Sequence, residues 1–161
     1  MKFVGSPQYP TRFALLDDKN KISHGGGHGQ VEVCDLFSIN KELVHVKIYG
    51  KSSVFSHLFS QGFVSGQLLQ VDGDFRKKVK AKLASPFNDL IGLNRPKENE
   101  LTVVFAVISD SSEKTLHLPF FSRVNLNKTC KILKGLGFNV QLLKIDVDSF
   151  YAKTKKCPPK A

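Results

Sequence analysis

The spacing of apolar residues along the chain predicts a series of β-strands. Residues 31–37 and 43–49 are rich in β-branched and aromatic side chains, and the five residues between them are a usual length for a hairpin connection. The continuous apolar run at 101–109 predicts a strand that is buried on both faces. Runs at 12–18 and 138–145 predict a first and a last strand. These segments are enough for one central sheet.

Apolar side chains at helical spacing predict three helices. The first begins near Ser53, and Gly62 and Gly66 are expected to weaken its continuation. The second covers 74–83 and has an aspartate at its N-cap. The third covers 125–136 and ends at glycines.

The resulting order is three strands, two helices, a strand, a helix and a strand. This order predicts an α/β fold of the α+β kind, in which a mixed central sheet is flanked by helices. With 161 residues, the chain is long enough for one core that buries roughly 70% of the unfolded surface. We therefore expect an N-terminal extension at 1–11, a single domain at 12–148 and a basic flexible tail at 149–161.

The chain is strongly basic, with 24 Lys and Arg residues against 14 Asp and Glu residues, which gives a formal charge of +10. Such an excess favours encounter with polyanions, of which nucleic acid is the first candidate. A solvated basic surface is the alternative. No apolar run approaches the roughly 20 residues that span a bilayer, so we expect no membrane partner.

Two further features favour a cytoplasmic protein. Pro7 and Pro10 interrupt the N-terminal segment before the apolar stretch of a secretory signal could develop. The cysteines, Cys34, Cys130 and Cys157, are odd in number and show no C-x-x-C pairing. That pattern fits reduced thiols better than a disulfide framework.

The second predicted helix carries a cluster of basic side chains that suits contacts to phosphate groups without implying base recognition. Lys51, which follows the strand at 43–49, would add another contact. The alternative is a solvated helix face. The helix residues in question are Arg76, Lys77, Lys78, Lys80 and Lys82.

The predicted hairpin brings three polar side chains together in an apolar sheet. If its turn is centred near Asn40, Asp35 lies opposite His45, and Lys47 shares their face. Parity places Glu32 on the opposite face. Charged groups in such a sheet are costly unless they are paired or functional. The alternative to a functional site is a structural ion pair between Asp35 and Lys47, with His45 as a hydrogen-bonded core residue.

This cluster suits metal-assisted hydrolysis of a phosphodiester bond. Asp35 would hold a hard divalent cation, Mg²⁺ or Mn²⁺, which polarises the phosphate and lowers the pKa of a bound water. Lys47 would stabilise the developing negative charge or orient the water. The sequence therefore offers a catalytic hypothesis as well as a binding one.

Several segments strongly resemble an uncharacterised, sporadically distributed bacterial family found in mobile and defence-associated gene neighbourhoods. The matching segments include GGGHGQVEVCDLFSINKELVHVKIYGKSSVFSHLF, VVFAVIS and GFNVQLLKI. The resemblance covers most of residues 10–146. Members are usually longer, so this chain resembles their C-terminal part. The resemblance implies a role in bacterial defence or mobile-element biology.

An acid on one strand, a strand ending in x-x-K and a following helix with a glutamine resemble the core of the PD-(D/E)XK, restriction-endonuclease-like superfamily. The resemblance implies that Asp35 binds metal, that Lys47 is catalytic and that Gln61 assists from the helix. His45 stands where that superfamily has an acidic residue or Gln. A neutral imidazole ligates Mn²⁺ but supplies no negative charge for Mg²⁺.

The missing acid has a candidate replacement in the first predicted strand, where Asp17 or Asp18 would reach the metal beside Asp35 and His45. The leading hypothesis is thus a variant metal-dependent nuclease, a hydrolase acting on DNA. The alternative is a catalytically inactive nucleic-acid-binding module of a larger defence protein. A protein-interaction or toxin-like domain, whose charge serves an acidic partner, is a third hypothesis. RNA as the substrate and a homodimer that cuts both strands stay open.

Overall fold

The computed structural model describes residues 12–16, 21–25 and 29–147. Within these ranges the chain forms seven strands and three α-helices. In chain order they are β1 (Phe13–Leu15), β2 (Ile22–Ser23), β3 (Gln30–Val31), β4 (Leu36–Ser38), β5 (Glu42–Ile48), α1 (Ser52–Val71), α2 (Gly73–Lys82), β6 (Thr102–Ser109), α3 (Phe120–Gly135) and β7 (Asn139–Asp146). The expected extension at 1–11 and the tail at 149–161 lie outside the described residues.

Five of the strands form one mixed sheet, which confirms the predicted fold class. Their order is β1-β4-β5-β6-β7, with antiparallel pairing on the β1 side and parallel pairing among β5, β6 and β7. Helices α1 and α3 follow β5 and β6 and pack side by side on one face of the sheet. Each helix follows the carboxyl end of one parallel strand, β5 for α1 and β6 for α3. Because these strands run in the same direction, both helices begin at the same edge of the sheet.

The β4–β5 hairpin has the predicted register, because Leu36 pairs with Val44 and Phe37 pairs with Leu43. The turn is closed by the Ser38 hydroxyl, which accepts hydrogen bonds from the backbone N–H groups of Asn40 and Glu42. Asp35, the residue before β4, still donates its backbone N–H to the carbonyl of Val44. The alternating pattern and the turn residues were sufficient to fix this pairing.

The predicted strand at 31–37 is divided in the structure. Its first residue belongs to β3, which pairs with β2 in a separate two-stranded sheet, and residues 32–34 have no strand pairing before β4 begins. Parity along a strand no longer applies across this break, so the expectation that Glu32 faces away from Asp35 is wrong. The consequence for the site is described below.

Helix α1 is continuous for 20 residues, so the expectation that its glycines weaken it is wrong. A Cβ atom on Gly62 would lie 2.5 Å from the Phe105 ring of β6, and one on Gly66 would lie 2.8 Å from Leu133 of α3. Glycine thus permits close approach of α1 to the sheet and to its neighbouring helix. The stability gained by that packing offsets the low helix propensity of glycine.

The other two helices agree with the sequence to different degrees. The Asp72 carboxylate caps α2 by accepting hydrogen bonds from the N–H groups of Asp74 and Phe75, as an aspartate N-cap was predicted to do. Helix α3 begins at Phe120, five residues before the predicted start at 125. The amphipathic pattern did not reveal this first turn because Phe120 and Phe121 are both exposed.

The main core lies between the helices and the helix-facing side of the sheet, and it contains Cys34, Phe59 and Phe105. A smaller cluster of Val44, Val104 and Ala106 lies on the opposite face of the sheet. Burial raises the pKa of the Cys34 thiol, so this thiol is protonated and inert. No helix in the described part of the chain has the length and apolar character needed to cross a membrane.

Candidate functional site

A cleft of about 590 Å³ lies between α1 and the segment that connects β3 to β5. Three residues predicted to act together line it: Asp35 before β4, Lys47 near the end of β5, and Gln61 on α1. The cleft reaches the surface, because Gln30, His57 and Ser60 are exposed. The remaining lining residues are Lys21, Gln30, Val31, Glu32, His57, Ser60 and Val64.

Asp35 is held in place by the backbone on both sides. Its carbonyl accepts a hydrogen bond from Leu16 N–H at 2.9 Å, and its Oδ2 atom accepts one from Val46 N–H at 2.6 Å. The carboxylate therefore lies against the β5 backbone at Val46, the residue immediately before Lys47. A side chain fixed by backbone donors is preorganised, which suits a ligand that must hold an ion in one position.

Glu32 is the acidic residue that sequence reasoning excluded from this site. The structure places it in the same cleft as Asp35, where its Oε2 atom accepts a hydrogen bond from Gln61 Nε2 at 2.7 Å. The non-strand geometry of residues 32–34 turns it to this side. The alternation of faces holds only along a continuous strand. The sequence pattern therefore could not reveal that Glu32 lies in the cleft.

His45 is separated from this group and lies in the core. Its side chain is 1% exposed, its ring centroid lies 6.1 Å from that of Phe105, and Nε2 lies 3.4 Å from the Ser65 hydroxyl of α1. Burial, with a smaller contribution from the charge of Lys47, lowers the pKa of His45 to about 3. The expectation that His45 joins Asp35 and Lys47 at a metal is therefore wrong, because helix α1 covers it.

The two aspartates proposed to replace the missing acid, Asp17 and Asp18, lie outside the described residues. His57 was also missed, although a signal existed. It precedes Gln61 by four residues, which places both side chains on one face of α1. Lys51, the residue before α1, is exposed and does not line the cleft.

The oxygen atoms of this cleft fit a hard divalent cation. Two carboxylates, Asp35 and Glu32, line it, and Mg²⁺ commonly takes one or two carboxylates together with water and substrate phosphates. The buried Gln61 Oε1 atom has no hydrogen-bond partner among the described residues. A buried oxygen in this state needs a donor or a cation nearby. The described residues contain no group of three His, Cys, Asp or Glu side chains at metal-binding distance, so protein ligands alone would not complete the coordination.

The predicted phosphate-binding cations of α2 do not act as one exposed face. Arg76 is 8% exposed, and its guanidinium donates hydrogen bonds to the carbonyls of Leu69, Gln70 and Leu93. Lys80 donates to the carbonyl of Asn88. The structure therefore uses both side chains within the fold, which contradicts the expectation that they contact phosphate. The others, Lys77, Lys78 and Lys82, are exposed.

The described residues thus form a mixed α/β fold with a polar cleft between the sheet and its first helix. A family model that covers residues 6–146 matches the chain, which belongs to DUF6119, a family of unknown function. No match was found among curated proteins or among solved structures.

Proposed function

We propose that this domain hydrolyses phosphodiester bonds of DNA with the help of a divalent cation held in the Asp35–Glu32 cleft. The proposal rests on one observation above all: two carboxylates and the Lys47 side chain line a single cleft that reaches the surface. The resemblance of the sequence pattern around Asp35, Lys47 and Gln61 to the PD-(D/E)XK core also supports the proposal. The excess of positive charge over the whole chain is consistent with a polyanionic substrate.

The electrostatics of the cleft explain why a cation is part of the proposal. Lys21 and Lys47 balance the charges of Asp35 and Glu32 in the cleft lining, so a phosphate group placed against the carboxylates needs additional positive charge between them. When bound, a divalent cation supplies that charge and makes a water molecule more acidic. Asp35 and Glu32 would hold the cation, and the hydrogen bond from Gln61 Nε2 would keep Glu32 in place.

Lys47 would act on the substrate itself. Its side chain approaches the cleft from β5, beside the carboxylate that Val46 N–H fixes. An ammonium group in that position stabilises negative charge that develops on the phosphate oxygens during attack by water. Removal of one such electrostatic contact typically lowers a rate by about 100-fold or more.

Nicking of supercoiled plasmid DNA tests the proposal. We expect the full chain to nick in the presence of Mg²⁺ or Mn²⁺, and we expect Lys47→Met to slow nicking by about 100-fold or more. Asp35→Asn should abolish nicking while it retains an oxygen acceptor for Val46 N–H. Lys97→Met, which removes an exposed lysine in the loop before β6, is the matched control and should leave the rate unchanged. If wild type and Lys47→Met behave identically with both cations, the catalytic proposal is wrong.

The second candidate function is binding of nucleic acid without hydrolysis. The burial of His45 in the core favours it, because the histidine that the sequence pattern offered as a metal ligand does not line the cleft. This function predicts DNA binding that resists EDTA and falls steeply with salt. It would replace the first proposal if binding is measurable and no nicking is seen with either cation.

A further inference from the structure

The first turn of α3 exposes an unusual amount of aromatic surface. Phe120 is 64% exposed and Phe121 is 77% exposed, and the two rings meet edge to face with centroids 5.4 Å apart. The guanidinium carbon of Arg123 lies 5.9 Å from the centre of the Phe120 ring. Large side chains in water at the start of a helix contribute little to the fold, so this turn suits contact with another molecule.

The rest of the outer surface of α3 is positively charged. The helix carries four basic residues and no acidic one. All four are exposed, and none forms a hydrogen bond or ion pair with another residue in the described part of the chain. They are Arg123, Lys128, Lys131 and Lys134. The charge of this surface is therefore available to an anionic partner.

Phosphate groups and aromatic-stacking groups occur together in one class of ligand. We infer that the outer face of α3 binds single-stranded nucleic acid, with bases stacked on Phe120 and Phe121 and phosphates along the basic residues of the helix. Duplex DNA offers the same phosphates, but its bases are stacked on one another and are closed to the phenyl rings. An anionic membrane is a poorer match, because Lys128 lies between the exposed Val124 and Ile132 at i, i+4 spacing and leaves no continuous apolar face beyond the first turn.

This surface is separate from the cleft. Helix α3 packs against α1 and β7, whereas the cleft is lined by α1 and the β3–β5 segment. Both helices begin at the same edge of the sheet, where Lys51 is also exposed. The inference does not depend on hydrolysis in the cleft, so binding measured in EDTA should keep its preference for single strands whether or not the wild-type protein cuts DNA.

Fluorescence anisotropy tests the inference with a labelled 20-nucleotide oligo-dT and a labelled duplex of the same length. We expect the full chain to prefer the single strand. The double change Phe120→Leu with Phe121→Leu keeps apolar side chains but removes the rings. It should weaken single-strand binding by about tenfold or more and leave duplex binding unchanged. Unaltered thermal melting would show that this variant is folded.

A charge variant and its matched control complete the experiment. Lys128→Gln with Lys131→Gln should reduce the slope of log K against log salt by about 1.4 for the single strand. Lys77→Gln with Lys82→Gln, on α2, should cause a smaller change. The inference is overturned by unchanged affinity in the leucine variant, by preference for duplex, or by equal losses from the two lysine pairs. Sedimentation with phosphatidylserine vesicles that requires both rings, without a preference for single strands, would also overturn it in favour of a membrane.

Discussion

Helices α2 and α3 are both basic, but the protein uses their charges in different ways. In α2, Arg76 and Lys80 turn inward and donate hydrogen bonds to backbone carbonyls. Lys78 donates to the carbonyl of Ser23, and Lys77 forms an ion pair with Asp74. The basic residues of α3 form no such contacts within the described ranges. Four of the five cations of α2 thus have hydrogen-bond or ion-pair partners within the described residues, whereas those of α3 have none and leave charge for a partner.

The end of α1 explains why α2 differs. The carbonyls of the last turn of a helix have no partner within that helix, and α1 has no basic residue in its own last turn. Arg76 reaches back from α2 to the carbonyls of Leu69 and Gln70 and supplies the missing donors. A basic side chain is therefore structural where carbonyl groups lack donors, and the number of charges on a helix does not reveal which role applies.

Arg76→Met gives the largest expected effect and tests the structural half of this comparison directly. The change leaves the buried carbonyls of Leu69 and Gln70 and the partly buried carbonyl of Leu93 without their donor. We expect the free energy of unfolding to fall by about 3 kcal/mol in urea titration. Lys82→Met, an exposed change on the same helix, should alter it by less than about 0.5 kcal/mol. Equal effects of the two changes would show that Arg76 is not structural.

His45 on β5 is buried, whereas His57 on α1 is exposed. The burial of His45 gives the next largest expected effect on the free energy of unfolding. Its pKa is about 3 in the folded protein because of burial and, secondarily, the charge of Lys47, whereas its ordinary value is 6.5. Below pH 6.5 the unfolded chain binds a proton that the folded protein does not bind. Stability is therefore full above that pH and is lost as pH falls toward 3.

Chemical denaturation at several pH values measures this effect. Between pH 7 and pH 5, His45 should reduce the free energy of unfolding by about 2 kcal/mol. His45→Leu should remove that part of the pH dependence, whatever its effect on stability at pH 7. The matched change His57→Leu, at an exposed position, should retain it. An unchanged pH dependence in His45→Leu would contradict the burial of a neutral imidazole.

His45 also shows what periodicity predicts and what it does not. The hairpin register was predictable because side chains alternate along β5 and the turn residues fix the pairing. The shared face of His45 and Lys47 followed from the same rule. The alternation of side chains along a strand does not show how much of the strand a helix covers. The burial of His45 beneath α1 was therefore not predictable from the sequence pattern. Lys47, two residues further on, lines the cleft.

Other differences have equally local causes. Gly62 and Gly66 have low helix propensity, and their benefit depends on contacts to Phe105 and Leu133 that are distant in sequence. Glu32 entered the cleft because strand geometry stops between β3 and β4. Sequence patterns thus predicted the sheet and most of the helices, whereas the composition of the site depended on packing and on one irregular segment.

The smallest expected effect concerns an ion pair intermediate between the buried arginine of α2 and the unpaired cations of α3. Lys41 Nζ lies 2.8 Å from Glu100 Oε1, and both side chains are about one-third exposed. The hydrogen bond from Lys41 lowers the pKa of Glu100, with a further contribution from Lys97 N–H. A lowered carboxylate pKa stabilises the fold above the ordinary value near 4.5, and this contribution is lost as pH falls below it.

Glu100→Gln should therefore reduce the free energy of unfolding by less than about 1 kcal/mol at pH 7, since solvent screens a pair with this exposure. The difference between wild type and variant should shrink in 1 M NaCl and should also shrink as pH falls below 4.5. Thermal melting in low salt and in 1 M NaCl measures this difference. Glu98→Gln, at an exposed neighbouring position, is the control. If Glu100→Gln lowered the free energy of unfolding as much as Arg76→Met, a partly buried ion pair would stabilise the fold as much as a fully buried cation does. The distinction drawn between α2 and α3 would then not depend on the depth at which a cation is held.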